Sequence, residues 1–69
     1  MKKIEIYSKH FCPYCVSAKA LLESKGVSYT EYEVSFDPLR QREMQQRSNR
    51  RTVPQIFIDG IHVGGSDDL

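Results

Sequence analysis

Cys12-Pro13-Tyr14-Cys15 holds both cysteines of the chain and sits where the hydrophobic pattern changes period. Before it, Ile4 and Ile6 alternate with charged residues and lead into Tyr7, the period of two that a strand requires. After it, Val16, Ala20 and Leu21 recur at helical spacing, Leu22 widens the stripe, and Gly26 supplies a stop. Pro13 suits the first helical position, where a missing N–H costs nothing, and Cys12 becomes the cap before it. The reading is a strand, a loop at Lys9-His10-Phe11, and a helix from about Tyr14 to Lys25.

The position of the two thiols implies redox chemistry. Free N–H groups and the positive dipole end at a helix start favour a thiolate, and the thiolate is the species that attacks disulfides. Two cysteines separated by two residues can also close a reversible disulfide with each other. Three plainer readings are weaker. A zinc site wants four ligands, and the only histidines, His10 and His62, lack the spacing to complete one. Val16 after the second cysteine excludes c-type haem attachment. A loop this short removes little unfolded-state entropy, which argues against a purely structural staple.

The remaining segments fall into place around this junction. Val27 to Val34 reads as a second strand, its apolar phase slipping between Tyr29 and Tyr32, which predicts a bulge or a late start. Asp37-Pro38 is a cap followed by proline at the first helical position, so Leu39 to Arg47 form a second helix that Asn49 ends. Val53 to Ile58 is a third strand, Asp59-Gly60 a hairpin turn, and Ile61 to Val63 a fourth strand. Gly64-Gly65-Ser66-Asp67 turns toward another helix start. The expected architecture is α/β, in the order β-α-β-α-β-β, with a mixed four-stranded sheet. The right-handed β-α-β unit makes its strands parallel, and the hairpin adds antiparallel ones. Phe11, Phe57 and the isoleucines are assigned to the core, and His10 and His62 to the surface.

Sixty-nine residues make one small domain, which buries roughly 60% of its unfolded surface. Ten basic residues nearly balance nine acidic ones, so composition gives no case for nucleic acid as a partner. No apolar run approaches a membrane span, and the N-terminus lacks the apolar segment of a signal peptide. A cytoplasmic location is expected, where disulfides are transient and catalytic. Arg40, Arg42, Arg47, Arg50 and Arg51 concentrate half of the basic residues in one segment. Such a run usually forms a solvated face.

Tyr7-Ser8-Lys9, Cys12-Pro13-Tyr14-Cys15, Thr52-Val53-Pro54-Gln55-Ile56-Phe57-Ile58 and Gly64-Gly65-Ser66-Asp67-Asp68-Leu69 together resemble the successive motifs of a dithiol glutaredoxin of the small bacterial type. The similarity runs through nearly the whole chain in order. It implies a thioredoxin-like fold, glutathione as reducing co-substrate with no tightly bound cofactor or metal, and glutathionylated or disulfide-containing proteins as partners. It also implies roles. Cys12 is the attacking sulfur and Cys15 the resolving thiol. Lys9 places a positive charge near the thiolate or a glutathione carboxylate, and Tyr14 packs its ring along glutathione. Thr52-Val53-Pro54 looks like the family's cis-proline loop, whose Val53 N–H and C=O pair with glutathione like an added strand. The residues alone favour trans, because cis is the minority form. Gly65, Ser66 and Asp67 present N–H groups to the γ-glutamyl carboxylate, with Asp67 accepting the ammonium group, and their plainer role is a helix cap. One or two of the arginines guide the anionic glutathione.

The sequence departs from the family at its end. It stops at Leu69, where family members continue into a C-terminal helix, so the expectation is a single glutaredoxin domain over 1–69 lacking that helix. A frayed or differently folded end, an incompletely covered sheet and a tendency of the monomer to associate follow. Two other functions compete: a dimeric, glutathione-assisted iron–sulfur scaffold, against which Pro13-Tyr14 weighs, and a thioredoxin-like reductase fed by a flavoenzyme. Thr52, Asp67 and the absence of tryptophan weigh against the latter.

Overall fold

Every residue of the first strand, β1 (Ile4–Ser8), is buried, charged Glu5 included. A strand covered on both faces needs an element packed on each side of its sheet. The computed structural model describes residues 2–69 and supplies both. Beyond β1 the chain forms α1 (Pro13–Ser24), β2 (Thr30–Glu33), α2 (Pro38–Ser48), β3 (Gln55–Ile58), β4 (Ile61–Gly64) and a single 3-10 turn at Ser66–Asp68. The strands make one sheet in the order β2-β1-β3-β4. β1 is parallel to β2, as the crossover through α1 requires, and antiparallel to β3, which pairs antiparallel with β4. The expected α/β, thioredoxin-like architecture is present.

Alternation along β1 and β3 divides the core. Ile4, Ile6 and Ile56 pack with Ala18 and Leu22 of α1, and Tyr29, Ile58, Val63 and Leu69 close around them. Tyr7 and Phe57 point the other way, toward Val34 and Met44 of the α2 side. The apolar stripe of α1 is therefore Cys15, Ala18 and Leu22; Val16, Ala20 and Leu21, expected to face the core, are exposed. Phe11 and Ile61 also leave the assigned core. Phe11 adopts a positive φ of 55° and holds its ring wholly in solvent. Ile61 follows the hairpin turn on an edge strand and is exposed.

The ends of the elements follow local chemistry. Asp37 caps α2 by accepting the Arg40 N–H at 3.1 Å, and Asn49 ends it in the left-handed region with φ 59°. Asp59 and Gly60 both have positive φ, 51° and 81°, as a two-residue hairpin turn demands. β2 is shorter than expected and starts late, at Thr30. The register shift lies instead between Ile56 and Phe57 where β3 meets β4. β3 begins at Gln55 rather than Val53. The C-terminal segment is folded differently from the helix start expected there, as a 3-10 turn. Asp68 N–H bonds Gly65 O at 3.1 Å and Leu69 N–H bonds Ser66 O at 3.4 Å, the i to i+3 pattern that closes in fewer residues than an α-turn.

α2 buries only Met44 and Ser48, and charge does much of its docking. Arg47 donates to both carboxylate oxygens of Glu5, at 3.0 and 3.3 Å, and to Tyr7 OH at 2.8 Å. Its guanidinium carbon stands 4.0 Å from the Phe57 ring centre. Tyr7 OH donates to Glu43, which also pairs with Arg40 at 2.8 Å, and Arg40 covers the Tyr32 ring. Arg40 and Arg47 thus belong to the packing between helix and sheet and not to a solvated face.

Candidate active site

The first turn of α1 is organised by a sulfur. Cys12 has extended backbone angles, φ −114° and ψ 100°, Pro13 occupies the first helical position, and Cys12 Sγ accepts the Cys15 N–H at 3.2 Å. Sulfur here takes the place of the Ser or Asp oxygen that usually satisfies a free N–H at a helix start. Cys12 is partly exposed and Cys15 is buried at 1% exposure, both as free thiols. Burial first, and the neighbouring Cys12 sulfur second, push the Cys15 thiol up to about 12. The two cysteines are chemically unequal although only two residues separate them.

Across from the helix start, Cys12 Sγ lies 4.0 Å from the Val53 carbonyl oxygen, and the Val53–Pro54 bond is cis. The cis form, not the trans form favoured by the residues alone, is present. A groove of about 200 Å³ runs from this point between Tyr14 and the 3-10 turn. Tyr14, Thr52, Val53, Pro54, Gly65, Ser66 and Asp67, all singled out in the sequence, line it together. Lys9 does not. It lies on the other side of the thiols, in a second groove of about 340 Å³ whose wall includes Cys12 and Cys15.

Three further residues line the first groove: Arg50, Gln55 and Asp68. Gln55 is buried and ties the loop down. Its Nε2 donates to Thr52 O at 2.9 Å, and its Oε1 meets His62 Nε2 at 2.7 Å. A buried glutamine at a strand start was the available signal, because its amide must find partners. Arg50 is the arginine of the 40–51 segment that reaches the groove, and its Nη1 lies 3.9 Å from Asp68 Oδ2. Asp68 turns back to accept the Gly65 N–H at 3.0 Å. That donor, expected to be free for an anion, is already used. A Cβ on Gly64, where φ is 131°, would sit 2.2 Å from the same carboxylate, so the turn requires glycine. Among the described residues, no group of three or more His, Cys, Asp or Glu side chains is placed to hold a metal ion. No helix among them is long and apolar enough to cross a membrane.

A cysteine capping the helix that follows the central strand, facing the carbonyl before a cis proline, marks a thioredoxin-like thiol oxidoreductase. Within that class the chain belongs to the glutaredoxin family, whose members are glutathione-dependent oxidoreductases: the family model described as Glutaredoxin matches residues 4–63. The chain is 56% identical to Glutaredoxin 3 of Escherichia coli K12 over 69 residues, which is all of this chain and 83% of that protein. Among solved structures it resembles Glutaredoxin 1 of Francisella tularensis complexed with cacodylate, at TM-score 0.85 and 33% identity, covering 100% of this chain and 88% of that one. It also resembles a buckwheat glutaredoxin–glutathione complex, at TM-score 0.86 and 33% identity, covering 97% of this chain and 64% of the other.

Proposed function

We propose that this domain reduces protein–glutathione mixed disulfides, and some protein disulfides, with glutathione as electron donor, Cys12 as nucleophile and Cys15 as resolving thiol. The carrying observation is the inequality of the two sulfurs. Cys12 is accessible and held by an N–H donor, while Cys15 is buried with its thiol pushed up to about 12. Only the first is placed to meet an incoming disulfide. In the glutathione route the Cys12 thiolate attacks the glutathione sulfur, a Cys12–glutathione bond forms, and the protein leaves as a thiolate that solvent protonates. A second glutathione thiolate then attacks that glutathione sulfur, restoring Cys12 and yielding glutathione disulfide. In the dithiol route Cys15 attacks Cys12 Sγ instead and expels the bound substrate sulfur; two glutathione thiolates then reduce the Cys12–Cys15 disulfide in turn and leave as glutathione disulfide.

The groove beside Val53 suits glutathione by its chemistry. Val53 offers main-chain groups next to the sulfur, Tyr14 offers an exposed ring, and Thr52, Ser66 and Asp67 offer polar contacts at the far end. Arg50 adds a positive charge for a net anion. Lys9, on the other side of Cys12, offers a positive charge to the thiolate or to a glutathione carboxylate.

A turnover assay with a small glutathione mixed disulfide, coupled to glutathione reductase, tests the reading. Cys12→Ser abolishes turnover, while Cys15→Ser keeps much of it and loses reduction of protein disulfides. Equal loss in both variants overturns the division of roles.

A further inference from the structure

The groove on the Lys9 side of α1 brings Lys19 and Glu31 into the same wall as Cys12 and Cys15. Lys19 follows Cys15 by four residues on α1, one helical turn, so both side chains leave the same face. Helical side chains lean toward the N-terminus, which carries the lysine stem back over the Cys15 turn. Its ammonium is anchored: Lys19 Nζ donates to Glu31 Oε2 at 2.8 Å, and that oxygen also accepts from Ser8 Oγ at 2.6 Å. Glu31 belongs to β2 and Ser8 to β1, so the sheet fixes a charge that the helix carries. An ammonium has three donors, and the bond to Glu31 uses one.

The dithiol route needs such a charge. A thiol buried among apolar groups ionises reluctantly, and only the thiolate can close the ring. We propose that Lys19, held in place by Glu31, is a positioning residue for disulfide closure, its ammonium stabilising the Cys15 thiolate as it forms. The inference rests on the dithiol reading above. In this step the Cys15 thiol gives its proton to water and its electron pair attacks Cys12 Sγ. The Cys12–Cys15 bond forms as the bond from Cys12 Sγ to the substrate sulfur breaks. The substrate departs as a thiolate with that electron pair and is protonated by solvent. In this step Cys15 is oxidised and the departing substrate sulfur is reduced, Cys12 having been oxidised when the mixed disulfide formed.

Other charges face the same groove and set the background. Lys9 and His10 stand on the loop before α1, and Glu33 of β2 pairs with His10 at 3.5 Å. The Lys9 main chain and the Lys19 ammonium both oppose the upward push on Cys15, whereas the Cys12 sulfur adds to it.

Closure is read by loading Cys12 with one equivalent of an aryl disulfide that releases a coloured thiolate. The first release reports loading, and the second reports attack by Cys15. No glutathione is involved, so failure here is distinguishable from failure of the glutathione reading. The rate of the second release is measured against pH for the wild type, Lys19→Met and Lys19→Arg. Lys19→Met slows it roughly 3- to 10-fold near neutral pH and moves the midpoint of the profile upward, as expected when a neighbouring positive charge is lost. Lys19→Arg restores both rate and midpoint. A wild-type midpoint in Lys19→Met, or a Lys19→Arg variant as impaired as Lys19→Met, overturns the assignment.

Discussion

Arg47 and Glu5 form a two-pronged ion pair across 42 positions of sequence, Nη2 to Oε1 at 3.0 Å and Nη1 to Oε2 at 3.3 Å. The Glu5 side chain is 8% exposed and the Arg47 side chain 28%, so the pair lies at the edge of the α2 packing and not in open solvent. Removing one partner leaves the other charge partly buried and unpaired. Arg47→Met is expected to cost about 2 kcal/mol, less than a fully buried pair because water still reaches the guanidinium. Glu5→Gln added to Arg47→Met recovers part of the loss. Urea unfolding of both single variants and the double variant measures this coupling, and additive losses would show that the two residues act independently.

The same pair sets a pH dependence. The Arg47 hydrogen bonds hold the Glu5 carboxyl below its ordinary value of 4.5, against burial, which pushes it up. A carboxyl lowered in the folded state binds protons less readily there than in the unfolded chain. Its contribution is therefore complete above about pH 4.5 and is lost as the pH falls through the lower folded value. Melting temperature measured below pH 4.5 should fall more steeply for the wild type than for Arg47→Met, which has already lost that contribution.

Cys15 should remain a thiol across the physiological range. In Cys12→Ser the hydrogen-bonding and charge effects of the Cys12 sulfur disappear, but burial, the largest cause of the upward shift, remains. Ultraviolet thiolate absorbance of that variant should stay flat through neutral pH and rise only in strongly alkaline solution. A rise near the ordinary cysteine value of 9.0 would show that Cys15 is not desolvated.

Much of the chain could be read before folding because its punctuation is local. Cys12-Pro13, Asp37-Pro38, Asn49 and Asp59-Gly60 each carry a backbone requirement that neighbours alone reveal, and each marks the boundary expected of it. The misassigned residues depend on distant partners. Val16, Ala20 and Leu21 form as good a stripe as Cys15, Ala18 and Leu22, and only the position of the sheet decides which one is covered. Phe11 is apolar by composition, yet its backbone conformation holds the ring in solvent beside Cys12. Gln55 could not be assigned without His62 and Thr52, nor Arg47 without Glu5. Of the site, the sulfurs were legible from their motif, whereas the cis Val53–Pro54 bond was legible only through the family resemblance, because the residues alone favour trans. Asp68 capping Gly65 was not legible, because it depends on how the chain turns after β4.

Arg50 is expected to contribute binding and not chemistry. It lines the groove beside Val53 but is half-exposed and shares its nearest carboxylate, Asp68, at 3.9 Å. Arg50→Ala should raise KM for a glutathione mixed disulfide roughly 3- to 10-fold with kcat nearly unchanged, the pattern of lost uniform binding. High salt should shrink the difference between the two proteins, since the attraction is screened. A fall in kcat at constant KM would assign Arg50 a different role.

The two helices are attached to the sheet by different proportions of the same forces, and dissolved ions shift the balance between them. Salt screens the carboxylates and guanidinium groups that do much of the fastening of α2 around Met44. Among the described residues α1 adds a single ion pair, Lys19 to Glu31, to the burial of Ala18 and Leu22, which salting-out ions strengthen. Molar sulfate should therefore slow amide exchange more in α1 than in α2. Ionic strength becomes a way to loosen one wall of this protein relative to the other, and the wall held tighter is the one that carries both sulfurs.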